Sequence, residues 1–209
     1  MDLLLNALIT LIVVIDPIGV AATYGSLTAE DSREERLRVA RNGVLIAAGI
    51  LYFFALTGNA FPHALGISIA AFRIGGGVLL FLLAIEMILV RQSGFRAATE
   101  PEKAELERRK DIAVFPLAIP LIAGPGAITS VVLLMGSAWD RPWLAAGVLG
   151  VIALALAATF TTLRLADQVM HLLGVTGRNV VGRVLGILLT ALAVQFVLDG
   201  IHATGLLPR

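Results

Sequence analysis

Asp16 is the only charged residue between Leu3 and Leu27. A carboxylate at the centre of a bilayer span costs about 2.5–3.5 kcal/mol on insertion scales, so such a residue needs a reason to be there. Three kinds of chemistry supply one. The carboxylate can hold a coupling proton or Na⁺, it can receive a substrate ammonium, or it can cap a helix that restarts at Pro17. Pro17 lacks an N–H and Gly19 tolerates non-helical angles, so Asp16-Pro17-Ile18-Gly19 is a place where a spanning helix breaks. A second such place is Ala123-Gly124-Pro125-Gly126-Ala127, followed by the hydroxyls of Thr129 and Ser130. Restarted helices at both breaks offer amide donors and the positive end of a dipole to an anionic group.

Other polar residues stand in apolar surroundings. Arg73 lies inside the third apolar stretch and can pair with an acid or a substrate carboxylate, or snorkel to the interface. Gln195 lies well inside the last stretch, where hydrogen bonding between helices is its default role. Arg183 is expected at a membrane edge, and Glu86 and Asp199 near span ends. Gly75-Gly76-Gly77 fits a close helix contact. His63, His171 and His202 lack the spacing and companion ligands of a metal site. With no Cys in the chain, thiolate catalysis and Cys-ligated metal are excluded. No Gly-x-Ser-x-Gly, His-Glu-x-x-His or phosphate-cradling loop is present, which argues against an enzyme and against a nucleotide-driven machine.

The elements that hold these residues must be membrane helices. The 209 residues are 58% hydrophobic and 15% charged, with mean hydropathy +0.91. A soluble fold of this length has too little interior for that much apolar surface. A near-neutral net charge of +1 argues against nucleic acid as a partner. Six spans of adequate length are expected, at Leu3–Leu27, Arg41–Pro62, Gly66–Val90, Ile112–Ser137, Pro142–Leu165 and Arg183–Ala203. The first holds no Lys or Arg before its apolar run and carries Asp16-Pro17 within it, so it reads as a retained span rather than a signal peptide.

Basic residues set the orientation. Loops after spans one, three and five carry 13 of the 16 Lys and Arg, leaving Arg73, Arg141 and Arg209 for the other side. The basic side is expected to be cytoplasmic and both termini outside. Two charged windows, Thr28–Arg41 and Arg91–Asp111, read as solvated connectors. In the first, Ser32-Arg-Glu-Glu35 is a capping box, and Glu34 and Arg38 have the spacing of a helical ion pair.

The halves echo one another. Pro17 and Pro125 are 108 residues apart, and Arg73-Ile-Gly-Gly76 and Arg183-Val-Leu-Gly186 are 110 apart. Each unit has three spans, so the second must run upside down relative to the first. The expected fold is therefore all-α: a single polytopic membrane domain of six transmembrane helices in two inverted three-helix repeats, 1–90 and 112–209, joined by a linker over 91–111. Helices one and four are discontinuous. Inverted repeats with helices interrupted at matching depth point to a secondary transporter with its site near the midplane.

Asp16-Pro17-Ile18-Gly19, the run from Phe72 through Arg73-Ile74-Gly75-Gly76-Gly77, and Phe115 to Thr129 resemble the MarC family of bacterial inner-membrane proteins, as does the Ala193-Val-Gln195-Phe-Val-Leu-Asp199 ending. The similarity spans essentially the whole chain. It departs where Val20 and Ala22 stand in place of the Asn and Pro often found there. The resemblance implies a six-span protein of the LysE-like superfamily, some relatives of which are considered transporters of small neutral amino acids such as glycine and alanine. The expectation is a secondary transporter of such solutes, with Asp16, Pro17, Gly19, Gly124, Pro125, Gly126, Thr129, Arg73 and Gln195 as candidate substrate-binding residues. No resident cofactor is expected, a proton or Na⁺ is the candidate coupling ion, and homo-oligomers are compatible with the sequence. The competing reading is an accessory or regulatory membrane subunit acting through its charged loops.

Overall fold

The computed structural model describes residues 2–58, 60–89 and 112–205. The charged run 101–111 and the linker over 91–111 lie outside the described residues. Every described element is helical.

Helix α1 (Asp2–Ile15) ends at Asp16, and α2 (Pro17–Leu27) begins directly after it. Together they form one apolar stretch, Leu3–Leu27, of membrane-spanning length. Helix α3 (Arg33–Thr57) starts eight residues before the expected span because the Ser32 capping box forms. The Ser32 hydroxyl accepts the Glu35 N–H at 3.3 Å, and the Glu35 carboxylate accepts the Ser32 N–H at 3.1 Å. Gly58, at φ 46°, closes α3 before the expected Pro62. A short α4 (Ala60–Ala64) leads to α5 (Ile69–Leu89).

The second half opens with α6 (Ala113–Ile122), wound more widely than an α-helix. Its irregularity follows from Pro116 and Pro120. A residue before proline is pushed out of the helical region, and Phe115 and Ile119 adopt φ −132° and −128° with ψ 129° and 126°. Both X-Pro bonds are cis. The chain then bends by 55° into α7 (Pro125–Ala138). Helix α8 (Pro142–Arg164) crosses back. The last helix, α9 (Ala166–Ala203), corrects the expected sixth span. It begins well before Arg183, turns at Gly174 (φ 59°), and is membrane-length from Thr176 onward. Arg183 thus lies within helix α9 rather than at its start. Among the described residues, five helical stretches are long and apolar enough to cross a bilayer, and α6–α7 makes a sixth when counted as one span.

Packing builds a central group with a flanking pair. The flanking pair is α5 and α9, the most extensive contact in the molecule. Glycine makes it close: a Cβ on Gly77 would sit 2.7 Å from the Ala193 carbonyl oxygen, one on Gly186 3.1 Å from that of Ala84, and one on Gly200 3.0 Å from that of Ala70. In a bilayer such backbone approach supplies the van der Waals contact that holds helices together. In the central group α3 packs on α6 and α7, α8 packs on α1 and α2, and α3 meets α8. The Tyr52 hydroxyl ties that last pair by donating to the Leu149 carbonyl at 3.0 Å. Helix α7 also contacts α1 and α5, and α9 contacts α1 and α2. Large apolar side chains such as Phe53, Leu56, Phe81, Ile85, Val184 and Ile187 face outward, as lipid contact requires.

Candidate functional site

The first break is one residue long. Asp16 takes φ 53°, ψ 70°, the left-handed region, which costs an L-residue about 1–2 kcal/mol and is most tolerable for Asn and Asp. Its side chain offsets that cost by accepting the Gly19 N–H at 3.0 Å, a helix cap worth about 1 kcal/mol. Its own N–H donates to Ile12 O at 3.0 Å and its carbonyl accepts Val20 N–H at 2.9 Å. Hydrogen bonding therefore runs through the break. The residue is 5% exposed. Gly19 is required here, since a Cβ would collide with the Asp16 carboxylate. Pro17, at the first helical position, has no N–H to satisfy.

The second break is built on the same plan with one difference. Pro125 again opens the helix, but the residue before it is Gly124, which has no side chain to cap α7. A Cβ on Gly124 would run into the Pro120 carbonyl oxygen, so a capping side chain cannot be accommodated without moving α6. The donor that corresponds to Gly19 N–H is Ala127 N–H. A cavity of about 30 Å³ lies at this end of α7, lined by Gly124, Gly126 and Ala127, by Val14 of α1 and by Leu79 and Leu83 of α5. That volume holds one or two waters, about the size of a carboxylate group.

The two breaks are neighbours. Gly126 lies so close to α1 that a Cβ would be 3.2 Å from Val14, two residues before Asp16. Thr129 is buried and its methyl occupies the space left by Gly76 on α5. Ser130 shares the face of Gly126, one turn further on, and its buried hydroxyl has no hydrogen-bond partner among the described residues. Of the candidate residues, Gly124, Pro125 and Gly126 line the cavity, whereas Asp16, Pro17, Gly19 and Thr129 do not.

Arg73 and Gln195 are not among the residues that line this cavity. Arg73 is half-buried in the first turns of α5. Gln195 is exposed, and its Nε2 donates to Asp199 Oδ1 at 2.7 Å on the same helix, so its bond is intrahelical rather than between helices. Glu34 and Arg38 make no ion pair among the described residues; Arg36 does instead. Its guanidinium donates to both oxygens of Asp167, at 2.8 and 2.8 Å, bridging α3 and the start of α9. These bonds hold the Asp167 carboxyl below its ordinary range. Sequence reasoning missed the pair because 131 positions separate its members, and no local pattern couples them.

Membrane-length apolar helices pack here around two proline-opened breaks, one holding a buried acid, which defines a multi-pass integral membrane protein. The chain belongs to the MarC family: the model for the MarC family integral membrane protein matches residues 1–204. Similar proteins include a UPF0056 membrane protein of Methanocaldococcus jannaschii, 36% identical over 90% of this chain and 91% of that one. Another, from Aquifex aeolicus, is 36% identical over 95% and 92%. The membrane protein YhcE of Escherichia coli is 34% identical over 92% and 89%. No solved structure matches.

Proposed function

We propose that this protein is a secondary transporter of small neutral amino acids, of the size of glycine and alanine, that works by alternating access between two inverted three-helix repeats. The observation that carries the reading is the difference between the two breaks. Asp16 caps α2 with its own side chain, whereas α7 has no side-chain cap and its first residues line a cavity. A substrate carboxylate would take at α7 the place that the Asp16 carboxylate takes at α2. The small residues Gly124, Gly126 and Ala127 restrict what can follow that carboxylate into the site. The buried Ser130 hydroxyl offers a further donor. The substrate ammonium, or a coupling proton or Na⁺, would meet Asp16 or carbonyls near the breaks.

The helix contacts support the repeat. Exchanging the halves maps α3 on α6–α7 onto α8 on α1–α2, and α5 on α7 onto α9 on α1–α2. The pairs α3–α8 and α5–α9 map onto themselves. Such a matching of the main contacts would allow one arrangement to convert into another by exchanging the roles of the halves, although α7–α8 and α1–α9 have no comparable counterpart. The basic loops orient the chain in a plasma membrane with both termini outside.

Ligand-induced stabilisation of the purified protein tests the carboxylate requirement. At about 100 times Kd, a bound ligand adds about 2.7 kcal/mol and raises Tm by roughly 5–10 °C in a chain of this size. Glycine or alanine should stabilise and glycinamide should not. Equal stabilisation by the amide would remove the carboxylate from the site, and no response to any small amino acid would overturn the substrate class.

A further inference from the structure

At the basic side of the molecule, a second and larger cavity of about 690 Å³ opens between the α2–α3 connection and the α8–α9 junction. Tyr24, Arg36 and Asp167 all line it. Tyr24 is 2% exposed. Its hydroxyl donates to the Arg36 carbonyl at 2.6 Å, and the Arg36 guanidinium lies 5.7 Å from its ring centroid. The same guanidinium grips Asp167 bidentately. Three elements, α2, α3 and α9, are thereby tied at one point, and the tie joins one half of the chain to the other.

We propose that Arg36 and Asp167 form the closing contact of a gate on the basic side of the membrane, with Tyr24 as its floor. Helix α2 connects that gate to the site. It runs from the Asp16 break to Tyr24 over eight residues, about 12 Å of helix, and is held at both ends by side-chain bonds. Parting of Arg36 from Asp167 frees α3 from α9, and with it the Tyr24 end of α2 that is bonded to the Arg36 carbonyl, and lets the 690 Å³ vestibule extend past Tyr24 toward the breaks. The position of the pair suits this. Asp167 is largely exposed at 73% while Arg36 is at 20%, so water can take over the carboxylate when the contact opens. Arg33, Arg164 and Asp31 also line the vestibule and form no ion pair among the described residues, so charged groups of both signs are available to a zwitterion as it enters. The gate rests on the transport reading for its purpose but not for its test.

The chain has no Cys, so a single introduced thiol reports without background. Ala21 is fully buried, one turn inside Tyr24 on the same helix. In membranes, Ala21→Cys should react slowly with a water-soluble maleimide. Adding Asp167→Asn or Arg36→Gln should raise the labelling rate at least tenfold, and the exchange Arg36→Asp with Asp167→Arg should bring it back toward the starting value. Unchanged labelling in both single variants would overturn the gate. So would labelling that the exchange fails to lower, since that marks local unfolding rather than loss of one contact. No amino acid flux enters this readout. Faster labelling without flux would leave the gate standing and the substrate assignment refuted, whereas flux with unchanged labelling would do the reverse.

Discussion

Asp16 carries two properties that one substitution separates. Asparagine also tolerates the left-handed region and also caps helices. Asp16→Asn should therefore keep thermal stability within about 0.5 kcal/mol of the parent, while Asp16→Ala loses about 1–2 kcal/mol through the cap and the backbone. A carboxylate needed for an ammonium or a coupling ion predicts that the Asn variant folds yet transports at least tenfold more slowly. Equal activity of Asp16→Asn and the parent would assign the residue to capping alone. Ser130 makes the opposite kind of prediction. A buried hydroxyl without a partner costs about 1–3 kcal/mol, so Ser130→Ala should match or exceed the parent in Tm without ligand. The same variant should show a smaller stabilisation by glycine or alanine, measured in the same thermal scans.

Helix contacts are where glycine decides the outcome. In Gly76→Ala the new methyl meets the Thr129 methyl, and overpacking of this kind costs typically 1–3 kcal/mol. The pair Gly76→Ala with Thr129→Ser removes the clashing methyl but keeps the hydroxyl, and should recover most of the lost Tm. No recovery would mean that α5 and α7 are not spaced by this contact. Much at this scale was legible in the chain. The capping box placed the start of α3, the Asp-Pro and Gly-Pro-Gly sequences marked both breaks, and the glycine triplet anticipated close packing through Gly76 and Gly77. Other features were not. Pro116 and Pro120 read as part of an apolar run, yet each forces its preceding residue out of the helix and makes α6 irregular along its length. Polar spacing alone did not show that Arg183 falls within α9 or that Gln195 bonds along its own helix. Apolar pattern reports the bilayer faithfully but says little about helix rotation, and rotation decides which polar group meets which.

At the scale of the whole molecule, an exposed ion pair holds the two halves together on the basic side. Such pairs contribute about 0.2–1 kcal/mol, which suits a contact that must open and reform. Its pH response has a definite sign. The Asp167 carboxyl titrates below its ordinary 3.8 in the folded chain, so the pair is intact above that value and is lost as pH falls through the lowered folded value. The ratio of Ala21→Cys labelling with and without Asp167→Asn should accordingly stay flat from about pH 5 to 8, although both rates rise with pH as the thiol ionises. A step in that range would point to a different titrating group at the gate. The two breaks differ in chemistry: Asp16 caps α2, and α7 has no side-chain cap. In the transport reading proposed above, that division would give a zwitterion complementary partners.

The most direct test of the whole account is flux. Purified protein in proteoliposomes should accumulate labelled glycine or alanine in response to a solute, proton or Na⁺ gradient. Gly126→Leu, whose side chain would crowd Val14 and Leu80 at the second break, should abolish that flux while the protein still inserts and remains monodisperse. Uptake equal to that of empty liposomes for every small amino acid under every gradient would contradict the account, as would full activity in Gly126→Leu.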